Sequence, residues 1–131
     1  MTTRQKQVMM SVYAFVLFFL MTFIAQVTRA YVGLAYPDVA PTTVSLLVTI
    51  PNLTALIFAF VIGPVSVGRN KVTLLSTSII AMILHCVVYY LNGRVHGPFN
   101  LYLVAGAMGG YGIGTYIPLI NGILSDHFPA D

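Results

Sequence analysis

Side chains that can hold a ligand or pass a proton are few in this chain. Most of them interrupt long apolar runs: Gln26, Asn52, Thr54, His85, Tyr111, Thr115, Tyr116 and Asn121. At membrane depth each needs a partner helix or a water-filled cavity. Asn52 follows Pro51, whose ring removes a backbone hydrogen bond, so its amide either satisfies the carbonyl left free or addresses a ligand. Tyr111, Thr115 and Tyr116 fall close together in the last apolar run, where phenol hydroxyls can bind an organic molecule or simply pack. His85 reads as a histidine bonded to a neighbouring helix, because no acid lies in any apolar run to complete a proton relay. Cys86 beside it reads as a packing residue with no disulfide partner, since it is the sole cysteine.

Catalytic patterns are missing. No glycine-rich phosphate loop follows a strand, no cysteine and histidine group has metal spacing, and the acids Asp38, Asp126 and Asp131 form no pair. There is no glutamate. These features exclude an enzyme, and neither a cofactor nor a metal is expected.

The elements that must position these groups follow from charge spacing. Of 131 residues, 58% are hydrophobic and 7% charged, against about 25% charged in soluble domains. The six basic residues, Arg4, Lys6, Arg29, Arg69, Lys71 and Arg94, and the three acids bracket four uncharged stretches. Each holds an apolar run of roughly 20 residues, enough to cross about 30 Å of hydrocarbon as helix. Four transmembrane helices are expected, over approximately 8–28, 43–66, 72–91 and 101–124. Backbone amides must be satisfied within each segment in lipid, and the alternation of a membrane barrel is missing, so the fold class is an all-α membrane protein. The first run is too long for the core of a signal peptide and reads as a retained helix.

Gly33, Pro37, Asp38 and Pro41 mark the first loop, and Gly93, Gly97 and Pro98 the last. Thr42 or Thr43 is expected to cap the second helix, and Pro51 to kink it. The short turn Gly68-Arg69-Asn70-Lys71 makes the second and third helices antiparallel neighbours. Arg4, Lys6, Arg69 and Lys71 fall on one side, Arg29 and Arg94 on the other. Four against two places the N-terminus in the cytoplasm, with the lipid bilayer as the first partner. The net charge of +3 is spread over helix ends rather than one face, so a nucleic-acid partner is not expected.

Gly106, Gly110 and Gly114 repeat a small-xxx-small register on one face of the fourth helix, with Gly109 and Gly112 beside it. Such a stripe lets another helix approach closely, for plain packing or for bending or sliding.

Around the 68–71 turn, Gly63-Pro64-Val65-Ser66-Val67-Gly68-Arg69-Asn70-Lys71 resembles the cytoplasmic signature of the major facilitator superfamily. Gly63, Gly68, Arg69 and Lys71 fit it, whereas the aspartate before the second glycine is missing and the loop is shortened. The fourth helix is similar to its counterpart in that family as well, with Gly112, Gly114, Pro118 and Asn121 followed by Ser125-Asp126-His127-Phe128-Pro129. The resemblance covers essentially the whole chain.

It implies the N-terminal portion of a transporter built from two six-helix halves, with solute bound near the midplane between them. The first and fourth helices would then line the cavity, which raises Gln26, Tyr111 and Tyr116 above His85. The substrate-cavity candidates are thus Gln26, Asn52, Tyr111, Thr115 and Tyr116. Gly63, Gly68, Arg69 and Lys71 would form a gating loop, with Asp126 as the acid joining Arg69 or Lys71, or only ending its helix. The expected function is transport of a small solute by alternating access in the plasma membrane. A four-helix chain would be a fragment, inactive without the remainder of the transporter. Two rivals stand beside this reading. One is a self-contained dimeric four-helix exporter, a class that resembles this chain in length but carries a membrane glutamate absent here. The other is a non-transporting assembly subunit joined through the glycine stripe.

Overall fold

The computed structural model describes residues 2–127; Phe128 and Pro129 of the expected exit motif, with Asp131, lie outside them. Four helices follow in order, α1 (Thr3–Ala35), α2 (Pro41–Ser66), α3 (Lys71–Val95) and α4 (Phe99–His127), with no strand among the described residues. α2, α3 and α4 are each long and apolar enough to cross a membrane. α1 is longer still, at 33 residues. Each helix runs beyond its apolar stretch, because backbone hydrogen bonding continues until a breaker intervenes.

Local chemistry sets the ends. Thr2 and Gln5 close a capping box at the start of α1, with Gln5 N–H donating to Thr2 Oγ1 (3.3 Å) and Thr2 N–H to Gln5 Oε1 (2.9 Å). α2 opens with Pro41 as its first residue and Ala40 as an N-cap without a side-chain bond. Thr42 and Thr43 therefore lie inside the first turn rather than capping it, since a proline needs no donor there. α2 continues as helix through Pro51 and Pro64. Gly68 turns the chain with φ +69°, a conformation that a Cβ disfavours. Asn70 then caps α3 by accepting from Val72 N–H (3.0 Å) and Thr73 N–H (3.4 Å).

Two glycines expected in loops are helical. Gly33 lies in α1, where a Cβ would sit 3.6 Å from Val44, and Gly93 lies in α3, where one would sit 3.4 Å from the Tyr102 hydroxyl. Both stand in ordinary packing distance of a neighbouring helix, where a Cβ would fit, rather than at a chain reversal.

The helix order in space also differs from expectation. α4 lies between α2 and α3 and packs along both, so the helices joined by the short 67–70 turn are held apart rather than side by side. In α4, 56% of the most apolar stretch is buried inside the protein, against 17% in α2 and in α3. Lipid offers apolar side chains no reason to leave it, so close backbone contact must hold this arrangement together. Glycines on two faces of α4 provide it. Toward α2, a Cβ on Gly106 would stand 3.1 Å from Pro51, on Gly110 2.8 Å from Thr54, and on Gly114 2.7 Å from Ala55 Cα. Toward α3, a Cβ on Gly109 would stand 2.9 Å from the His85 ring and on Gly112 3.0 Å from the Ser78 carbonyl. Ser78 Oγ donates to the Gly112 carbonyl at 2.6 Å, tying the same pair.

Two buried clusters seal the ends. Val32, Val44, Leu47 and Tyr102 pack at the end bearing loops 36–40 and 96–98, where Tyr36 also donates to the Gly97 carbonyl at 2.6 Å. Met82, Tyr116 and Ile120 pack toward the end bearing the 67–70 turn.

Candidate functional site

All four helices contribute to a cavity of about 300 Å³ near the middle of α2, α3 and α4. α1 supplies Thr22 and Gln26, α2 supplies Pro51 and Asn52, and α3 supplies His85 and Tyr89. Gln26 also borders a hollow of about 490 Å³ between α1 and α2 at the loop end, where Arg29 donates to Ser45 Oγ at 3.3 Å. Gln26 thus stands where the two spaces meet.

Gln26 and Asn52 are both exposed, and neither amide finds a hydrogen-bond partner among the described residues. The Asn52 amide therefore does not cap the carbonyl that Pro51 leaves free, and the side-chain bond seen nearby is that of Thr54 Oγ1, which donates to the Ile50 carbonyl at 2.8 Å. An unpaired amide in hydrocarbon is costly, so these two side chains call for water, solute or a further helix.

The other three cavity candidates lie elsewhere. Tyr111 sits on the opposite side of α4, where its hydroxyl meets Thr77 Oγ1 at 2.8 Å and its ring stands edge-on to Phe58 at 4.8 Å. Thr115 is fully buried, and its hydroxyl has no partner among the described residues. Tyr116 lines a separate hollow of about 360 Å³ with Met9, Met10, Tyr13 and Ile120. Conversely, His85 and Tyr89 border the central cavity, although sequence reasoning set His85 below the other candidates and passed over Tyr89. An ionisable ring inside an apolar run is a signal for a site by itself. Its position opposite Gly109, which makes it reachable, depends on how α3 and α4 are registered.

At the turn end Lys71 Nζ and the Asp126 carboxylate form an ion pair between the start of α3 and the end of α4. Gly122 leaves room for the lysine, since a Cβ there would stand 3.4 Å from Nζ. Ser66 Oγ donates to the Gly63 carbonyl at 2.8 Å and Arg69 N–H to the Ser66 carbonyl at 3.2 Å, which shapes the turn between the two glycines. The acid therefore pairs with Lys71, while Arg69 stays exposed. Among the described residues, no group of three His, Cys, Asp or Glu side chains stands close enough to hold a metal ion.

No curated protein and no solved structure matches the chain. Residues 8–131 match the Major Facilitator Superfamily. The apolar helices, the glycine-bearing 63–71 turn and this match over nearly the whole sequence agree: the chain is a membrane protein belonging to the Major Facilitator Superfamily, a family of transporters.

Proposed function

We propose that the chain forms the first four transmembrane helices of a secondary transporter in the plasma membrane, with its N-terminus in the cytoplasm, and that it moves a small solute by alternating access. The observation that carries this reading is the pair of unpartnered amides, Gln26 and Asn52, on the wall of a cavity at mid-helix depth. Polar groups are retained at such depth where they meet a solute or its water. α1 is taken as a fourth span because no charged residue lies between Lys6 and Arg29. The four-to-two excess of basic residues at the N-terminal and 67–70 ends supports the orientation.

In this reading Gln26 and Asn52 contact the solute, and Tyr116 lies on the path between the cavity and the turn end. Tyr111 and Thr115 act on the far face of α4 by steadying its contact with α2 and α3. The Gly63 to Lys71 turn and Asp126 form a latch on the cytoplasmic side, closed here by the Lys71 ion pair. The cavity sets Gln26, Asn52, His85 and Tyr89 among mainly apolar side chains, and the remaining helices of the transporter, against which this unit rocks, are its required partner.

Thiol labelling tests the reading. With Cys86→Ser as background, Asn52→Cys should react with a membrane-impermeant methanethiosulfonate, whereas Phe60→Cys, 75% exposed on the apolar outside of α2, should not. Tags at the N-terminus and in the 67–70 turn should both report a cytoplasmic position. An unreactive Asn52→Cys, or tags on opposite faces, removes the proposal.

A further inference from the structure

α3 meets α4 at two of its glycines, and one of them, Gly109, borders the central cavity. A Cβ on Gly109 would stand 2.9 Å from the His85 ring, and one on Gly106 would stand 3.4 Å from the Tyr89 hydroxyl. Beside Gly109 both side chains border the cavity, their rings 4.2 Å apart. His85 is only 7% exposed. Its Nδ1 lies 2.7 Å from the Ala105 carbonyl, and a carbonyl oxygen can only accept, so Nδ1 carries the proton. In the neutral ring Nε2 is then left as a lone-pair acceptor, with no partner among the described residues.

The residues bordering the cavity include no Asp, Glu, Lys or Arg. From these four helices a permanently charged solute would gain no counter-charge for the hydration it loses there. A neutral solute with hydroxyl or amide donors would instead find an acceptor at His85 Nε2, a donor or acceptor at Tyr89, and two amides at Gln26 and Asn52.

Resting on the transport reading above, we infer that His85 and Tyr89 form a solute-binding subsite beside the Gly109 window of α4, and that it takes an uncharged solute bearing hydroxyl or amide hydrogen-bond donors.

The test is carbethoxylation of the full chain in nanodiscs by diethyl pyrocarbonate, mapped by mass spectrometry, with the exposed His96 as internal reference. His85 should react, and the Gly109→Ala chain should lose that reaction. Glucose, inositol and uridine serve as neutral probes, lactate and choline as charged ones. At least one neutral probe should slow the His85 reaction about tenfold at about ten times its dissociation constant, with His96 unchanged and the charged probes without effect. An unreactive His85 beside a reactive His96, protection by lactate or choline, or no protection by any neutral probe overturns the inference. Labelling of Asn52→Cys in parallel separates the failures. An open Asn52 with an unreactive His85 removes only the subsite, while a closed Asn52 removes the cavity on which it rests.

Discussion

α4 and α1 are built in opposite ways. α4 packs along α2 and α3, with five glycines at 106, 109, 110, 112 and 114 where the neighbours come closest. α1 is aromatic along its outside, with Phe15, Phe19 and Phe23 stacked at 6.5 and 6.3 Å and each more than half exposed. At the loop end it is anchored by Val32 against Val44 and by Arg29 on Ser45. At the other end Ala14 packs on the cluster of Met82, Tyr116 and Ile120, and between these two anchors α1 faces the cavity or the outside. Small residues thus mark where backbones meet, and large apolar ones line the side left open. The contrast divides labour, since α4 provides a fixed spine and α1 a more lightly held wall of the cavity.

The hardest blow to that contrast is a large side chain on the spine. Gly114→Leu must enter space held by the Ala55 backbone, so unfolding in mixed micelles should show a loss of about 3 kcal/mol, the upper end for overpacking. If its stability matches the parent chain, α2 and α4 are not in close contact. Ser78→Ala removes the 2.6 Å bond to Gly112 and should cost about 1 kcal/mol in the same assay.

A smaller effect is expected at the turn end, because the Lys71 and Asp126 side chains are 26% and 57% exposed. Asp126→Asn should lower stability by about 0 to 1 kcal/mol, and the loss should shrink when salt is raised from low to physiological strength. A loss that does not respond to salt would mean the carboxylate acts by another contact. The smallest effect belongs to the aromatic outside of α1, where Phe19→Leu should change stability by less than about 0.5 kcal/mol. A larger penalty there would show that α1 is covered by protein rather than lipid, sharpening the case for a partner on that face.

Much of this was legible beforehand. Uncharged stretches between Lys6, Arg29, Asp38, Arg69, Lys71 and Arg94 marked the apolar runs, because a charge in hydrocarbon is costly wherever the fold places it. The 68–71 turn, with Gly68 at positive φ, follows from local backbone chemistry alone. Gly33 and Gly93 misled, because a glycine inside a helix reads the same in sequence as one that ends it. Tyr111 and Tyr116 misled as well. They sit five residues apart on one helix, yet one meets Thr77 and Phe58 while the other meets Met82 and the N-terminal half of α1.

The amino-acid order by itself determined that the chain enters lipid, roughly where helices begin and end, and that α4 has a face suited to close packing. Each of those depends on residues near one another along the chain, through transfer cost and backbone conformation. Only the tertiary structure decided that α4 separates α2 from α3, that Lys71 rather than Arg69 meets Asp126, and that His85 looks past Gly109 into the cavity. Those are relations between helices, set by which glycine faces which side chain, and helical periodicity places residues on faces without saying which neighbour each face receives.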